Sequence, residues 1–245
     1  MAARAGILAR MPTLYLVRHA QASFGAADYD RLSELGERQS ERLGQYWRAR
    51  ERGDQPRFET VLTGTLRRHA QTWAGIARGF GLTLTREDAR QTPLRLPGLD
   101  EYDSGALIEA LGAVPPQPGV ADTADTRRAH FRLLRSALQQ WAEGAIAPRG
   151  MPSHAEFSAG VRATLDHVRS HCTGDVLMIS SGGPISNAVA QILGAPAQTG
   201  IELNLRLRNS AITEFDYTPR RFSLVSFNAV PHLDEPGLGD WVTYA

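Results

Sequence analysis

What most constrains this chain is an alternation of short apolar runs with longer segments of helical period. Thr13 to Val17 (TLYLV) is a nearly unbroken apolar run, preceded by Pro12 and ended by charge, as expected of a buried strand. Leu35, Gln39, Leu43, Tyr46 and Trp47 then fall on one side of a helix for which Ser33 is a suitable N-cap. Phe58 to Thr63 is a second strand. Behind it, Leu66, Ala70, Trp73, Ala77 and Phe80 recur at three- and four-residue intervals, which starts a helix near Thr65. Leu82 to Thr85 reads as a further short strand. Two helical patterns come later, Phe131–Leu134–Leu138–Trp141 and Phe157–Val161–Leu165–Val168. Asp175 to Ser180 (DVLMIS) is another apolar strand, and Gly182-Gly183-Pro184 opens a helix reaching about Leu193. Strands alternating with helices imply an α/β fold, a three-layer α/β/α sandwich around a mostly parallel sheet covered on both faces.

The tail changes period. Leu203, Leu205 and Leu207 alternate with polar residues, as do Ala211 to Tyr217 and Phe222 to Phe227. The Thr218-Pro219-Arg220 turn makes the last two a hairpin. Residues 91–125 hold Pro93, Pro97, Pro115, Pro116 and Pro118 and read as a loop-rich lid with one helical piece near Ala106 to Leu111. A length of 245 residues suits one large domain, taken as 13–245. Residues 1–12 are expected to be a flexible extension. Met1 to Arg10 is too short and too weakly apolar for a signal peptide, and Met11 is an alternative start.

The formal net charge of +1 gives no overall field for nucleic acid or membrane, so any anion preference must be local. No stretch approaches the roughly 18 apolar residues of a membrane span. All 27 Lys+Arg residues are arginine, for which a GC-rich genome is the simplest explanation. Cys172 stands alone, which excludes an intrachain disulfide, suits a reducing, cytoplasmic setting and suggests no nucleophile. Asp, Glu and His do not cluster at metal-ligand spacings, so neither metal nor cofactor is implied, and His69 and His130 read as surface residues.

Three polar clusters sit where strands end: Arg18-His19, Arg68 near a helix start, and Ser180-Ser181-Gly182-Gly183. In open α/β sheets ligands bind beyond the carboxyl ends of the strands, so these distant segments converge on one crevice. Arginine forks neutralise phosphate charge, a helix N-terminus offers N–H donors, and an imidazole can act as nucleophile. Singly each signal is weak, since a lone histidine after a strand is more often structural. Together they favour a site.

LYLVRHAQ (14–21) resembles the Arg-His-Gly signature of the histidine phosphatase superfamily, the phosphoglycerate mutase-like fold. DYDRLSELGERQSERLG (28–44) is similar to that family's "pLT..G..QA..LG", TGTLRRHAQT (63–72) to "S.L.RA.QT" and LDEYDSG (99–105) to "L.E...G". MISSGGPI (178–185) is similar to "VSHGG.I" and RNSAITEF (208–215) to "N.SI..l". The resemblance implies that His19 takes the phosphoryl group, with Arg18 and Arg68 as anion clamps and Arg67 as a spare. Glu101 would be the general acid, with Asp100 and Asp103 as alternatives. Gln21, Ser23 and the N–H groups of Gly182 and Gly183 would contact substrate.

The chain departs from the pattern in places. Ser181 stands where the family has its second histidine; a hydroxyl donates a hydrogen bond but no charge, and losing one such donor costs roughly a hundred- to thousandfold in rate. Ala20 replaces the signature glycine, Gly25 falls where mutases carry asparagine, and Met151-Pro152-Ser153 replaces a Gly-Glu-Ser helix opening. His154 is either a solvated residue at that helix start or a group reaching the site. The implied activity is a phosphatase of a small phosphomonoester acting through phosphohistidine, slowed by Ser181. A phospho-ligand-binding protein of the same fold is the alternative, and a phosphoglycerate mutase fits less well. Oligomeric state is left open, although the apolar tail strands could supply an edge.

Overall fold

The computed structural model describes residues 10–23, 30–50, 58–84, 92–115 and 124–244. Its centre is a six-stranded sheet: β1 (Thr13–Arg18), β2 (Thr60–Thr63), β3 (Leu94–Arg95), β4 (Val176–Ser180), β5 (Ile212–Thr218) and β6 (Arg221–Ala229). The spatial order is β3-β2-β4-β1-β5-β6. The first four strands in that order run parallel, and β5 and β6 are added antiparallel.

Helices cover both faces, and the strand sequences show why. Along β1, Leu14 and Leu16 enter one core while Tyr15 and Val17 enter another; Val176 and Met178 of β4 likewise oppose Leu177 and Ile179. A strand buried on both sides has no polar face to alternate. One core is closed by α1 (Glu34–Arg48) and α2 (Arg67–Phe80) through Leu43, Trp47, Trp73, Ile76 and Phe80. The other is closed by α5 (His154–His171) and α6 (Gly182–Ile192) through Val161, Leu165, Ile185 and Val189. A third cluster joins α3 (Ser104–Ala110), α4 (Ala124–Ala142) and α7 (Ala197–Asn204) around Leu107, Leu138, Trp141 and Ile201.

Local chemistry sets the helix ends. The Ser33 hydroxyl accepts from the Gly36 N–H at 3.0 Å, and Ser153 with Glu156 forms a capping box. Gly81, at φ 79°, ends α2 in the left-handed conformation.

Three readings of the sequence are corrected. Leu82 to Leu84 form no strand, and Thr85 lies outside the described residues. The sheet's edge is instead β3, inside the segment read as loop; its two residues are exposed and follow Pro93, so they carry no apolar signal. Leu203, Leu205 and Leu207 are not a strand either. Leu203 lies in the last turn of α7, and the N–H groups of residues 205 to 207 continue helical turns onto Ile201, Leu203 and Asn204. Their alternation is accidental: Leu203 and Leu207 meet the same core while Leu205 faces a groove.

The hairpin of β5 and β6 forms as expected. Of the expected extension, residues 1–9 lie outside the described residues, whereas Arg10 pairs with Asp175 at 2.8 Å and the Pro12 carbonyl accepts from the Tyr217 N–H. Gly25 and parts of the expected lid also lie outside the described residues. Among the described residues no helix is long and apolar enough to cross a membrane.

Candidate active site

The parallel register brings the polar clusters together. Arg18 is paired with Ser180 and Thr63 with Ile179, so β1, β2 and β4 end side by side. His19, the Gly64–Arg68 turn and Ser181 therefore leave the sheet at one edge. Thr72 joins two of these segments: its Oγ1 accepts from the Ala20 N–H at 3.1 Å and donates to the Arg68 carbonyl at 2.7 Å.

His19 is buried and fixed through its backbone. Its N–H donates to the Ser180 carbonyl at 2.8 Å, and its own carbonyl accepts from Asn209 Nδ2 and the Ser210 N–H, each at 3.3 Å. The ring Nδ1 lies 2.8 Å from the Ala20 carbonyl. A carbonyl can only accept, so Nδ1 carries the proton and Nε2 keeps its lone pair. Burial, then the positive charges of Arg68 and Arg18, push the imidazole well below its ordinary value and hold it neutral.

The arginines are anchored differently. Arg68, buried, donates from Nη1 to Asp30 at 2.9 Å and from Nη2 to Ser181 Oγ at 3.5 Å. Arg18 donates from Nη1 to the Leu207 carbonyl and, at 2.7 Å, to the Tyr244 carbonyl, so residues near the end of the sequence brace it. The Arg67 N–H reaches Asp30 at 2.8 Å.

The structure separates the three neighbouring acids. Asp100 accepts from the Thr65 N–H at 2.6 Å and from its hydroxyl at 2.5 Å, while Asp103 caps α3 through Gly105 and Ala106. Glu101 stands at the start of α6, where the Gly183 N–H reaches its two oxygens at 3.1 and 3.2 Å. Burial raises its pKa above the ordinary carboxylate value against the pull of Arg68, the Gly183 N–H and Arg18. Gly183 has to be glycine here: a Cβ would fall 2.3 Å from Glu101 Oε1 and 2.5 Å from the Tyr102 ring. Its N–H, expected to meet phosphate, thus serves the carboxylate.

Other expected residues are spread around this centre. Gln21 turns its side-chain carbonyl to the Ser33 hydroxyl at 2.7 Å, and the Ser23 N–H donates to the Arg31 carbonyl at 2.8 Å. Gly182 begins α6, with the Asn204 side chain pressed against its Cα. His154 packs edge-on against Trp141 at 5.0 Å and lines a cavity of about 30 Å³ with Tyr102 and Gly183. A broad groove of about 1010 Å³ is lined by Arg128, Arg132, Arg206 and Tyr244, the last of which also accepts from Arg18. Cys172 is buried, and burial pushes its thiol up. Among the described residues no three His, Cys, Asp or Glu side chains are grouped to hold a metal.

His69 is the residue the sequence reading misplaced. Expected on the surface, it is fully buried, with Nε2 2.8 Å from Ser181 Oγ and its ring centroid 5.8 Å from that of His19. Burial and the charge of Arg68 lower its pKa to about 3. The missed signal was its place beside Arg68, on the first turn of a helix that begins at the crevice.

Solved structures of similar fold include a mutant phosphoserine phosphatase from Entamoeba histolytica in complex with phosphoserine. It is 18% identical, with a TM-score of 0.60 over 91% of this chain and 100% of that one. A mycobacterial glucosyl-3-phosphoglycerate phosphatase matches at 20% identity and TM-score 0.59, covering 89% and 99% of the two chains. A phosphoglycerate mutase from Bacillus anthracis matches at 16% and 0.58, covering 91% and 95%. Comparison with curated protein sequences finds no match. The family model of the histidine phosphatase superfamily (branch 1) aligns with residues 14–107 and 121–230. That span takes in β1 from Leu14 onward, the other five strands, and His19, Arg68, Glu101 and Ser181, and the chain belongs to this superfamily.

Proposed function

We propose that the protein is a phosphatase of a small phosphomonoester, working through a phosphohistidine on His19. The observation that carries this reading is the His19 ring. Nδ1 is committed to the Ala20 carbonyl and burial keeps the imidazole neutral, so Nε2 presents a lone pair beside two arginines. Two of the three structural neighbours are phosphatases named for phosphoserine and glucosyl-3-phosphoglycerate, which fits a phosphomonoester without selecting one.

In the first step Nε2 attacks phosphorus and the bond from phosphorus to the leaving oxygen breaks. Protonated Glu101 gives its proton to that oxygen, and the alcohol departs. In the second step Glu101, now a carboxylate, takes a proton from water. The water oxygen attacks phosphorus, the N–P bond breaks, and neutral His19 and inorganic phosphate are released. The opposite pKa directions of the two groups suit these parts: a neutral nucleophile and an acid that keeps its proton. Arg18, Arg68 and the Gly182 N–H would hold the phosphoryl oxygens, and Ser181 would donate to one of them. Gln21 and Ser23 would border the leaving group. A solitary buried cysteine suits a reducing, cytoplasmic setting.

A second reading, a phospho-ligand-binding protein without efficient turnover, draws on Ser181, which brings no charge of its own. Hydrolysis of an aryl phosphate by the wild type and by His19→Ala separates the two. Turnover abolished by the substitution supports the enzyme. Absence of turnover in both, with inorganic phosphate still raising Tm, supports the binding protein.

A further inference from the structure

Three departures from the family pattern meet at one point. Aligned with "S.L.RA.QT", the chain has Gly64 for serine and His69 for alanine; aligned with "VSHGG.I", it has Ser181 for histidine. Sequence places positions 69 and 181 more than a hundred residues apart, and the fold puts His69 Nε2 2.8 Å from Ser181 Oγ, both side chains buried. Gly64 makes the arrangement feasible. A Cβ there would fall 2.2 Å from His69 Nδ1 and 2.4 Å from Asp100 Oδ1. The imidazole absent after β4 is thus supplied from the neighbouring turn after β2, and the residue that would obstruct it is reduced to glycine.

We infer that His69 and Ser181 together replace the single histidine of the pattern, with His69 acting through Ser181 on the phosphoryl group. This rests on the phosphatase reading. A dianionic phosphoryl group entering beside Arg68, Arg18 and His19 brings the negative charge that lets His69 hold a second proton, taken from solvent. Nε2–H then donates to Ser181 Oγ, and the serine O–H is left to donate to a phosphoryl oxygen. On the other side, Nδ1, which makes no hydrogen bond among the described residues, lies 3.8 Å from Asp100 Oδ1, an oxygen that accepts from the Thr65 N–H. Ser181 touches substrate, whereas His69 is a positioning residue that adds charge from behind it. Without that charge, Arg68 and burial hold His69 neutral in the free protein.

The test is a four-member cycle on an aryl phosphate: wild type, His69→Ala, Ser181→His and the double substitution. Each single change should lower kcat by roughly a hundredfold, the scale for one preorganised donor. His69→Ala strips the charge, and Ser181→His forces two rings into space built for one. The double variant, restoring the pattern's pairing, should return to within about tenfold of wild type by the same scale. His69→Gln, which fills the space without the charge, should lose kcat as His69→Ala does and raise KM as well, because His69 takes up its proton when the phosphoryl group binds; a merely structural role would be restored by the filled space. Wild-type kcat in folded His69→Ala, or a double variant no faster than the slower single one, would overturn the inference. If Ser181→His does not fold, His69→Ala, His69→Gln and the double variant still decide.

Failure of the phosphatase reading is seen separately, as a wild type without turnover. In that case the rise in Tm with inorganic phosphate is read instead. The inference expects His69→Ala to remove most of that rise and the double variant to regain it; an unchanged rise in His69→Ala overturns it.

Discussion

The floor of the crevice and the arm that crosses it are built by different means. The floor is the ends of β1, β2 and β4, where His19 and Ser181 are buried and held by sheet hydrogen bonds and by two cores. The arm, from Pro97 to Asp103, lies outside the strands: Leu99 anchors its first turn in the core against α5, and the acidic residues beyond it are tied by a few hydrogen bonds. The Ser180 hydroxyl donates to the Leu99 carbonyl at 2.7 Å, Thr65 holds Asp100, and the Gly183 N–H holds Glu101. His19, the proposed nucleophile, thus sits where position is overdetermined, and Glu101, the proposed proton donor, where a handful of hydrogen bonds decide it. A group attacking phosphorus in line must be fixed closely, whereas an acid has only to reach its leaving oxygen.

This contrast can be broken from either side. The largest effect falls on the arm's chemistry. Glu101→Gln should lower kcat by about 10²–10⁴-fold. Because its carboxyl is raised above the ordinary value, wild-type kcat/KM should decline with increasing pH as Glu101 ionises. The glutamine variant should lack that alkaline limb, and its retention would move the acid to another residue.

Next comes acid stability, which reads the floor and its surroundings. His69 and His232 are held at about 3 and His19 well below its ordinary value, all chiefly by burial. Their folded values lie below the unfolded value near 6.5, so the unfolded chain binds more protons. The stability they contribute is complete above about pH 6.5 and is lost as pH falls toward 3, by roughly 1.4 kcal/mol per pH unit for each histidine. Glu101, shifted upward, opposes this weakly above pH 4.5. Denaturant midpoints measured from pH 8 to 4 check the sign. A flat profile would mean that these rings are charged or exposed.

Asp100→Ala should loosen the arm without touching the nucleophile, lowering stability by about 1–3 kcal/mol and kcat more than phosphate affinity. Equal losses in both would place Asp100 on the ligand itself. The smallest effect belongs to Ser153→Ala, which removes the α5 capping box. It should cost about 1 kcal/mol in urea unfolding and leave kcat unchanged.

The same contrast explains what the sequence discloses. The floor is legible because TLYLV and DVLMIS are apolar on both faces and end abruptly in polar residues, which fixes both strand and crevice. From its residues alone the arm is legible only as loop, and it is the resemblance of LDEYDSG to "L.E...G" that puts Glu101 ahead of its neighbours. Choosing Glu101 over Asp100 and Asp103 requires knowing which carboxylate meets the α6 N-terminus, a fact of tertiary placement. β3 is invisible because two exposed residues carry no periodicity. His69 is misread for the opposite reason. A histidine among arginines at a helix start looks solvated, and only the approach of β4 to α2 shows that its face is covered.

The brace on Arg18 has a consequence for how the molecule comes to be active. Tyr244 takes the Arg18 guanidinium, Trp241 and Thr243 take the Gln39 amide, and the Thr243 carbonyl takes the Asn209 N–H, Asn209 being the residue that holds the His19 carbonyl. The Arg18–Tyr244 contact spans 226 positions. β1 and β5 already pair across nearly as many positions, so the sheet meets the loop-closure entropy first and the docking of residues 241–244 adds little to it. The sheet can therefore assemble before residues 241–244 dock, leaving the proposed anion clamp beside His19 unfinished in the interval. Competence to bind phosphate should appear after the bulk of the fold, when residues 241–244 have docked.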